Sequence, residues 1–154
     1  MDGVLWDFVS QAQKATGVPI TKWMKDSSRD KWEPIRDYPN FWYNMPWTRD
    51  GKALWYKILP YQPHILSAYV DPGTDPNCIA GKTKWAMKNL SVPNPRLHLV
   101  KRIQKQDYAK TAGKPNLLID DFPRNIEQWK RKGGVGIYHK STSNTIRELS
   151  KLGY

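Results

Sequence analysis

Asp120 and Asp121 stand at the end of the apolar run Leu117-Leu118-Ile119, and Asp2 stands beside Gly3 at the start of the chain. A carboxylate pair at a strand end, joined by a third carboxylate from another segment, suits a hard divalent ion. Magnesium fits that description, because it is held by one or two carboxylates and keeps several waters. Gly3 allows the tight bend that lets backbone pass close to a ligand. Phosphoryl transfer needs little more: charge neutralised on three equatorial oxygens and a nucleophile in line. Ser67, with Ala68 beside it, offers a hydroxyl to one oxygen. A lysine from the stretch 101–105 offers fixed positive charge, Lys105 first and Lys101 second. The metal would act as clamp and template. An Asp doublet alone is equally well a solvated turn, so the chemistry depends on whether these residues meet.

No other set competes. His64, His98 and His139 lie at unrelated spacings without a cysteine partner, so they predict no zinc site. Ala80-Gly81-Lys82-Thr83 ends like a phosphate-binding loop but lacks the upstream glycine pattern.

The elements that must position these residues follow from the apolar pattern. Strands are expected over 64–69, 96–100, 116–119 and 135–138, each bounded by Pro, Gly, Asn or Asp. Helices are expected over 7–16, 51–59, 82–90, 126–132 and 144–152. This alternation predicts an α/β fold with a mostly parallel sheet flanked by helices. Ligands then sit at the carboxyl ends of the strands. Ser67, the basic stretch 101–105 and Asp120-Asp121 all fall there. The segment 9–60 is rich in aromatic and charged residues and reads as a mainly helical lid over the strand ends, poor in core.

The chain has 154 residues and a formal net charge of +11, which favours anionic partners without naming one. Cys78 is the single cysteine and cannot form an internal disulfide, so a free thiol in a reducing cytoplasm is expected. No apolar run approaches the length of a membrane span and no signal peptide is visible, so no membrane role is expected.

The blocks 1–8 (Met1-Asp2-Gly3-Val4-Leu5-Trp6-Asp7-Phe8), Ile65-Leu66-Ser67-Ala68, Lys105 and Leu117-Leu118-Ile119-Asp120-Asp121, followed by Asn125-Ile126 and by Gly133 to Ile137, span nearly the whole chain. In them the sequence resembles the haloacid dehalogenase-like phosphohydrolases, and among these the 5'(3')-deoxyribonucleotidases and their phage relatives. The resemblance implies a Rossmannoid parallel sheet flanked by helices, with core segments 1–8 and 61–154 and a helical cap over 9–60. It implies Asp2 as the acid/base, Ser67 and Lys105 on the phosphate, and Asp2, Asp120 and Asp121 around Mg2+. Phe41, Trp42, Tyr43 or Trp47 would stack on a base.

The family motif is Asp-x-Asp-Gly-Val, and its first Asp attacks phosphorus. With Met1 as the x, that nucleophile and the central strand before it would precede Met1. The expectation is therefore a magnesium-dependent hydrolase of deoxynucleoside monophosphates that is inactive or severely impaired as the 154-residue chain. A preceding segment, or a second copy in a homodimer, would fill the strand position. The expected location is cytoplasmic, in the host if phage-encoded. Two other readings stand beside this one. One is a nucleic-acid binder or end-processing phosphatase, favoured by charge and aromatics. The other is a non-catalytic scaffold for a protein partner.

Overall fold

The structure is a computed structural model and describes residues 1–28 and 30–154. Helices α1 (Phe8–Thr16), α2 (Ile20–Lys25), α3 (Glu33–Asp37) and α4 (Gly51–Ile58) precede the first strand. Asp7 caps α1 by accepting the Ser10 N–H at 3.0 Å, and Gly17 ends it in the left-handed conformation that glycine adopts without steric cost. Then come β1 (Ile65–Ala68), α5 (Cys78–Leu90), β2 (Leu97–Val100) and a 3₁₀ segment, Arg102–Tyr108. The short hairpin β3 (Lys110–Thr111) and β4 (Lys114–Pro115) leads to β5 (Leu117–Asp120), α6 (Pro123–Arg131), β6 (Val135–Tyr138) and α7 (Thr142–Lys151).

The parallel strands and their helices lie close to the expected positions. α5, however, begins at Cys78 rather than Lys82, and Pro123 opens α6, where its missing N–H costs nothing. The single sheet expected from the alternation is not formed. β1 pairs only with β2 and β5 only with β6, both parallel, while β3 and β4 pair antiparallel. Among the described residues the fold is mixed α/β with three two-stranded sheets. No described helix is long and apolar enough to cross a membrane.

The expectation of a lid poor in core is also corrected. Phe41, Trp42, Leu54 and Trp55 of this segment are buried in one cluster with Trp6 and Trp85, so the aromatic segment shares in the larger core of the described residues. Trp6 meets Trp85 edge to face at 5.1 Å between ring centroids, and Trp42 lies 6.3 Å from Trp6. Such rings bury large areas and hold a defined geometry, so few aliphatic residues are needed. A smaller cluster of Ala109, Leu118, Ile126 and Trp129 sits between β5 and α6.

Candidate active site at the strand tips

Residues 1–6 form a compact turn that buries Met1, Val4, Leu5 and Trp6 in the core and holds Asp2 and Gly3 at the strand ends. The Met1 carbonyl accepts N–H bonds from Leu5 at 2.9 Å and Trp6 at 3.0 Å. Thr48 clamps the same turn from outside, donating its hydroxyl to the Val4 carbonyl at 2.8 Å and its N–H to the Leu5 carbonyl at 2.9 Å. Gly3 is held at φ +65°, and a Cβ there would collide with the Asp121 carboxylate. Glycine is thus required twice over, by its backbone angle and by the approach of Asp121.

Asp2 therefore lies beside the acidic doublet, as the motif reading requires. Its carboxylate is gripped by a residue that reading did not include. Lys82, almost fully buried on α5, places Nζ 2.7 Å from Asp2 Oδ2, 3.1 Å from Ser67 Oγ and 2.7 Å from the Ala68 carbonyl. Its ammonium also stands 5.1 Å from the Trp6 ring centroid and 5.2 Å from that of Trp42. The sequence carried a signal for this. Cys78, Lys82, Trp85 and Ala86 fall on one helical face, so Lys82 sits within the apolar stripe once α5 is started at Cys78. Gly81 lets that helix close on Trp42, whose side chain a Cβ would strike.

A second pair lies across the cluster. Lys105 is buried and donates to Asp120 Oδ2 at 2.8 Å. Asp120 Oδ1 accepts the Phe122 N–H at 2.9 Å and the Asn125 amide at 3.0 Å, so both its oxygens are engaged. Lys101 is exposed at the start of the 3₁₀ segment, which separates the two lysine candidates by position. His139, just beyond β6, is buried against Thr145 at 2.8 Å. Burial, and then the Met1 ammonium, lower its pKa.

The three carboxylates differ in charge state. Burial raises the pKa of Asp2, but the Lys82 charge, the Met1 ammonium and the Lys82 hydrogen bond hold it below the ordinary value. Asp120 behaves alike: burial raises it, and Lys105, the Met1 ammonium and the Phe122 N–H bring it below normal. Asp121 goes the other way. Burial of its carboxylate against Gly3, followed by the Asp120 charge, holds its pKa above normal. Among the described residues its side chain has no hydrogen-bond or ion-pair partner.

Among the described residues no group of three or more His, Cys, Asp or Glu side chains is placed to hold a metal ion. The chemistry of the donors nevertheless fits magnesium that keeps most of its waters. Asp121 is the open carboxylate. Three positive groups, the Met1 ammonium, Lys82 and Lys105, balance the three aspartates, so an arriving phosphate would need another cation.

The four aromatic candidates do not gather at the cluster as a group. Trp42 floors it beneath Lys82, while Phe41 is buried against Trp42 and Trp47 packs on Trp85 at 5.0 Å. Tyr43, half-buried, lies under the Lys88 ammonium on a groove of about 840 Å³ that Phe41, Trp42, Arg36, Tyr38 and Lys84 also line. Cys78 is buried and its thiol is pushed up to about 11 by desolvation, so it is inert as a nucleophile.

The sequence matches no family model and no curated protein. Its fold is similar to that seen in the crystal structure of a hydrolase from Streptococcus pneumoniae TIGR4. The two agree with a TM-score of 0.57 over 97% of this chain and 95% of that one, at 14% sequence identity. At that identity the likeness establishes a shared fold.

Proposed function

We propose that the strand-tip cluster is a phosphate site and that the chain is a phosphomonoester hydrolase of the nucleoside monophosphate type. One observation carries this reading. Asp2, Ser67, Lys105, Asp120 and Asp121 come from distant parts of the chain and converge around one turn, as the resemblance requires.

In this scheme the Ser67 hydroxyl and the Lys82 and Lys105 ammoniums bind the phosphate oxygens and fix its orientation. Lys82 keeps Asp2 ionised, which is the form of a base. For Asp2 to protonate a leaving oxygen, the substrate must first draw Lys82 away from it. Asp120, held by Lys105 and Asn125, is a positioning residue that keeps Lys105 in place and Asp121 turned toward Gly3. A magnesium ion held at Asp121, with Asp2 and Asp120 close by, would supply neutralising charge when bound. In the motif that the chain resembles, the attacking group is an aspartate two positions ahead of the acid/base residue.

The test is phosphate release from deoxynucleoside monophosphates in magnesium. The 154-residue chain should stay near background, and an added strand ending in Asp should raise turnover at least about a thousandfold. Turnover of several per second by the unextended chain would overturn the reading, as would an extended chain indifferent to Asp2→Asn.

A second reading rests on the groove lined by Arg36, Tyr38, Tyr43, Lys84 and Lys88. Basic and aromatic side chains together suit a nucleic acid strand, with bases stacked and phosphates neutralised. Oligonucleotide binding that weakens steeply with salt, and weakens again in Lys84→Ala/Lys88→Ala, would favour it.

A further inference from the structure

Lys110 and Lys114 stand on the hairpin β3–β4, and Lys130, Arg131 and Lys132 close α6. The segments 110–116 and 128–136 hold these five of the chain's 25 Lys and Arg and none of its 14 Asp and Glu. Nearly half of the net charge of +11 is therefore concentrated in two short stretches. All five residues are exposed.

The fold brings the two stretches together. Trp129, buried on α6, donates its indole N–H to the Asn116 carbonyl at 3.0 Å, and the Asn116 amide reaches Thr111 Oγ1 in the hairpin at 2.8 Å. Gly133 and Gly134 then turn the chain out of α6 with no side chain above the backbone. A Cβ on Gly133 would strike the Lys110 side chain, and one on Gly136 would lie 3.5 Å from Lys130 Cε. Lys110 thus crosses the turn that follows Lys132, and Lys130 lies against the strand beyond that turn.

No carboxylate balances these charges. Glu127 stands one turn before Lys130 and Arg131, and Asp107 three residues before Lys110, yet none of the ion pairs among the described residues includes any of the five cations. Cations in a last helical turn complement the helix dipole, which accounts for Lys130 and Arg131. It does not account for Lys110 and Lys114, which arrive from another element. A surface of one sign draws anions and raises their local concentration.

Position separates this patch from the sites above. It lies where β5 and β6 begin, whereas the strand-tip cluster lies where they end. The four residues of β5 put about 13 Å between them at about 3.3 Å per residue. Neither the hairpin nor α6 lines the groove of Tyr38, Tyr43 and Lys84. The patch also offers no platform for unstacked bases, since Trp129 is the one aromatic residue in either segment and is buried. Val135 is the one exposed large apolar residue there, too little to enter lipid. What remains is a set of contacts to phosphate, which position a nucleic acid without reading its bases.

We propose that the hairpin β3–β4 and the end of α6 form a docking surface for the phosphate backbone of a nucleic acid duplex. A duplex carries one charge per about 1.7 Å of axis, so clustered exposed cations act on it through counterion release. The inference does not draw on the strand-tip phosphate reading, and no result on turnover bears on it.

Fluorescence anisotropy of a labelled, mixed-sequence DNA duplex titrated with the 154-residue chain is the test. The wild type should bind, and its affinity should fall steeply with salt. Lys110→Gln/Lys114→Gln/Lys130→Gln/Lys132→Gln should bind at least about tenfold more weakly and lower the slope of log affinity against log salt by about three. Lys14→Gln/Lys22→Gln/Lys25→Gln/Lys57→Gln removes the same charge from exposed sites elsewhere and should cost less than about threefold. Lys84→Ala/Lys88→Ala should leave duplex binding unchanged. Equal losses in the two quadruple variants would overturn the inference, because binding would then follow net charge alone. A loss in Lys84→Ala/Lys88→Ala as large as that in the patch variant would overturn it in favour of the groove. A wild type that binds phosphatidylserine vesicles and not the duplex would overturn it in favour of a membrane surface.

Discussion

The tips of β1 and β5 and the flanks of the same two strands are finished to opposite degrees. At the tips Lys82 holds Asp2 and Ser67, and Lys105 holds Asp120, while Asp121 has no such partner among the described residues. Along the flanks, no strand among the described residues pairs across the apolar groove between β1 and β5. The contrast separates two kinds of specification. Buried ion pairs are costly unless satisfied in full, so the tip tolerates no gaps. The groove lined by Leu66 and Leu118 keeps its shape from the helices packed around it.

The largest break in this comparison should come from the tip. Lys105→Ala leaves Asp120 buried without its cation and should cost about 3–5 kcal/mol in chemical denaturation. Folding holds the Asp120 pKa below its ordinary value, so this stability is present above about pH 4 and lost as pH falls through the folded pKa. The wild type should therefore lose the advantage in acid, while the variant has none to lose.

Gly3→Ala comes next. The left-handed backbone and the collision with Asp121 should cost about 1–3 kcal/mol. Part of that cost should disappear in Gly3→Ala/Asp121→Gly, and the double-mutant cycle measures the coupling.

A smaller change sharpens the contrast by reversing sign. The Asp121 pKa is raised in the folded state, so its ionisation costs stability once pH rises above the unfolded value. Asp121→Asn should stabilise the chain at neutral pH by less than about 1 kcal/mol, because the residue as a whole is open to solvent although its carboxylate lies against Gly3, and the gain should fade in acid.

The smallest effect belongs to the far end of the groove. His64 Nδ1 and His98 Nε2 lie 2.8 Å apart with their rings stacked. Burial and then the His64 charge lower the His98 pKa, so the folded state binds that proton more weakly than the unfolded one. Stability should decline as pH falls below about 6.5. His98→Asn should flatten that part of the curve.

Much of this molecule was legible in its sequence, for identifiable reasons. β6 was bounded correctly because Gly134 precedes a short apolar run, and α1 ends where Gly17 says it should. Strand direction brought Ser67, the stretch 101–105 and the Asp doublet to one end of the sheet, and Asp2 was added by the motif that the first residues resemble. Lys82 was missed because the apolar stripe of α5 starts at Cys78, four residues before the position that opened the expected helix. The aromatic segment was misjudged because tryptophans supply core area without the aliphatic density that usually marks it. The division of the sheet could not be read locally, since whether β1 meets β5 depends on what lies between them.

The central claim is that the strand tips form one phosphate site, and phosphorus NMR of inorganic phosphate titrated into the chain in magnesium tests it most directly. The account predicts saturation at one phosphate per chain, with binding lost in Ser67→Ala and in Lys82→Met while both variants remain folded. Saturation unchanged by either substitution would contradict it, as would no binding by the wild type.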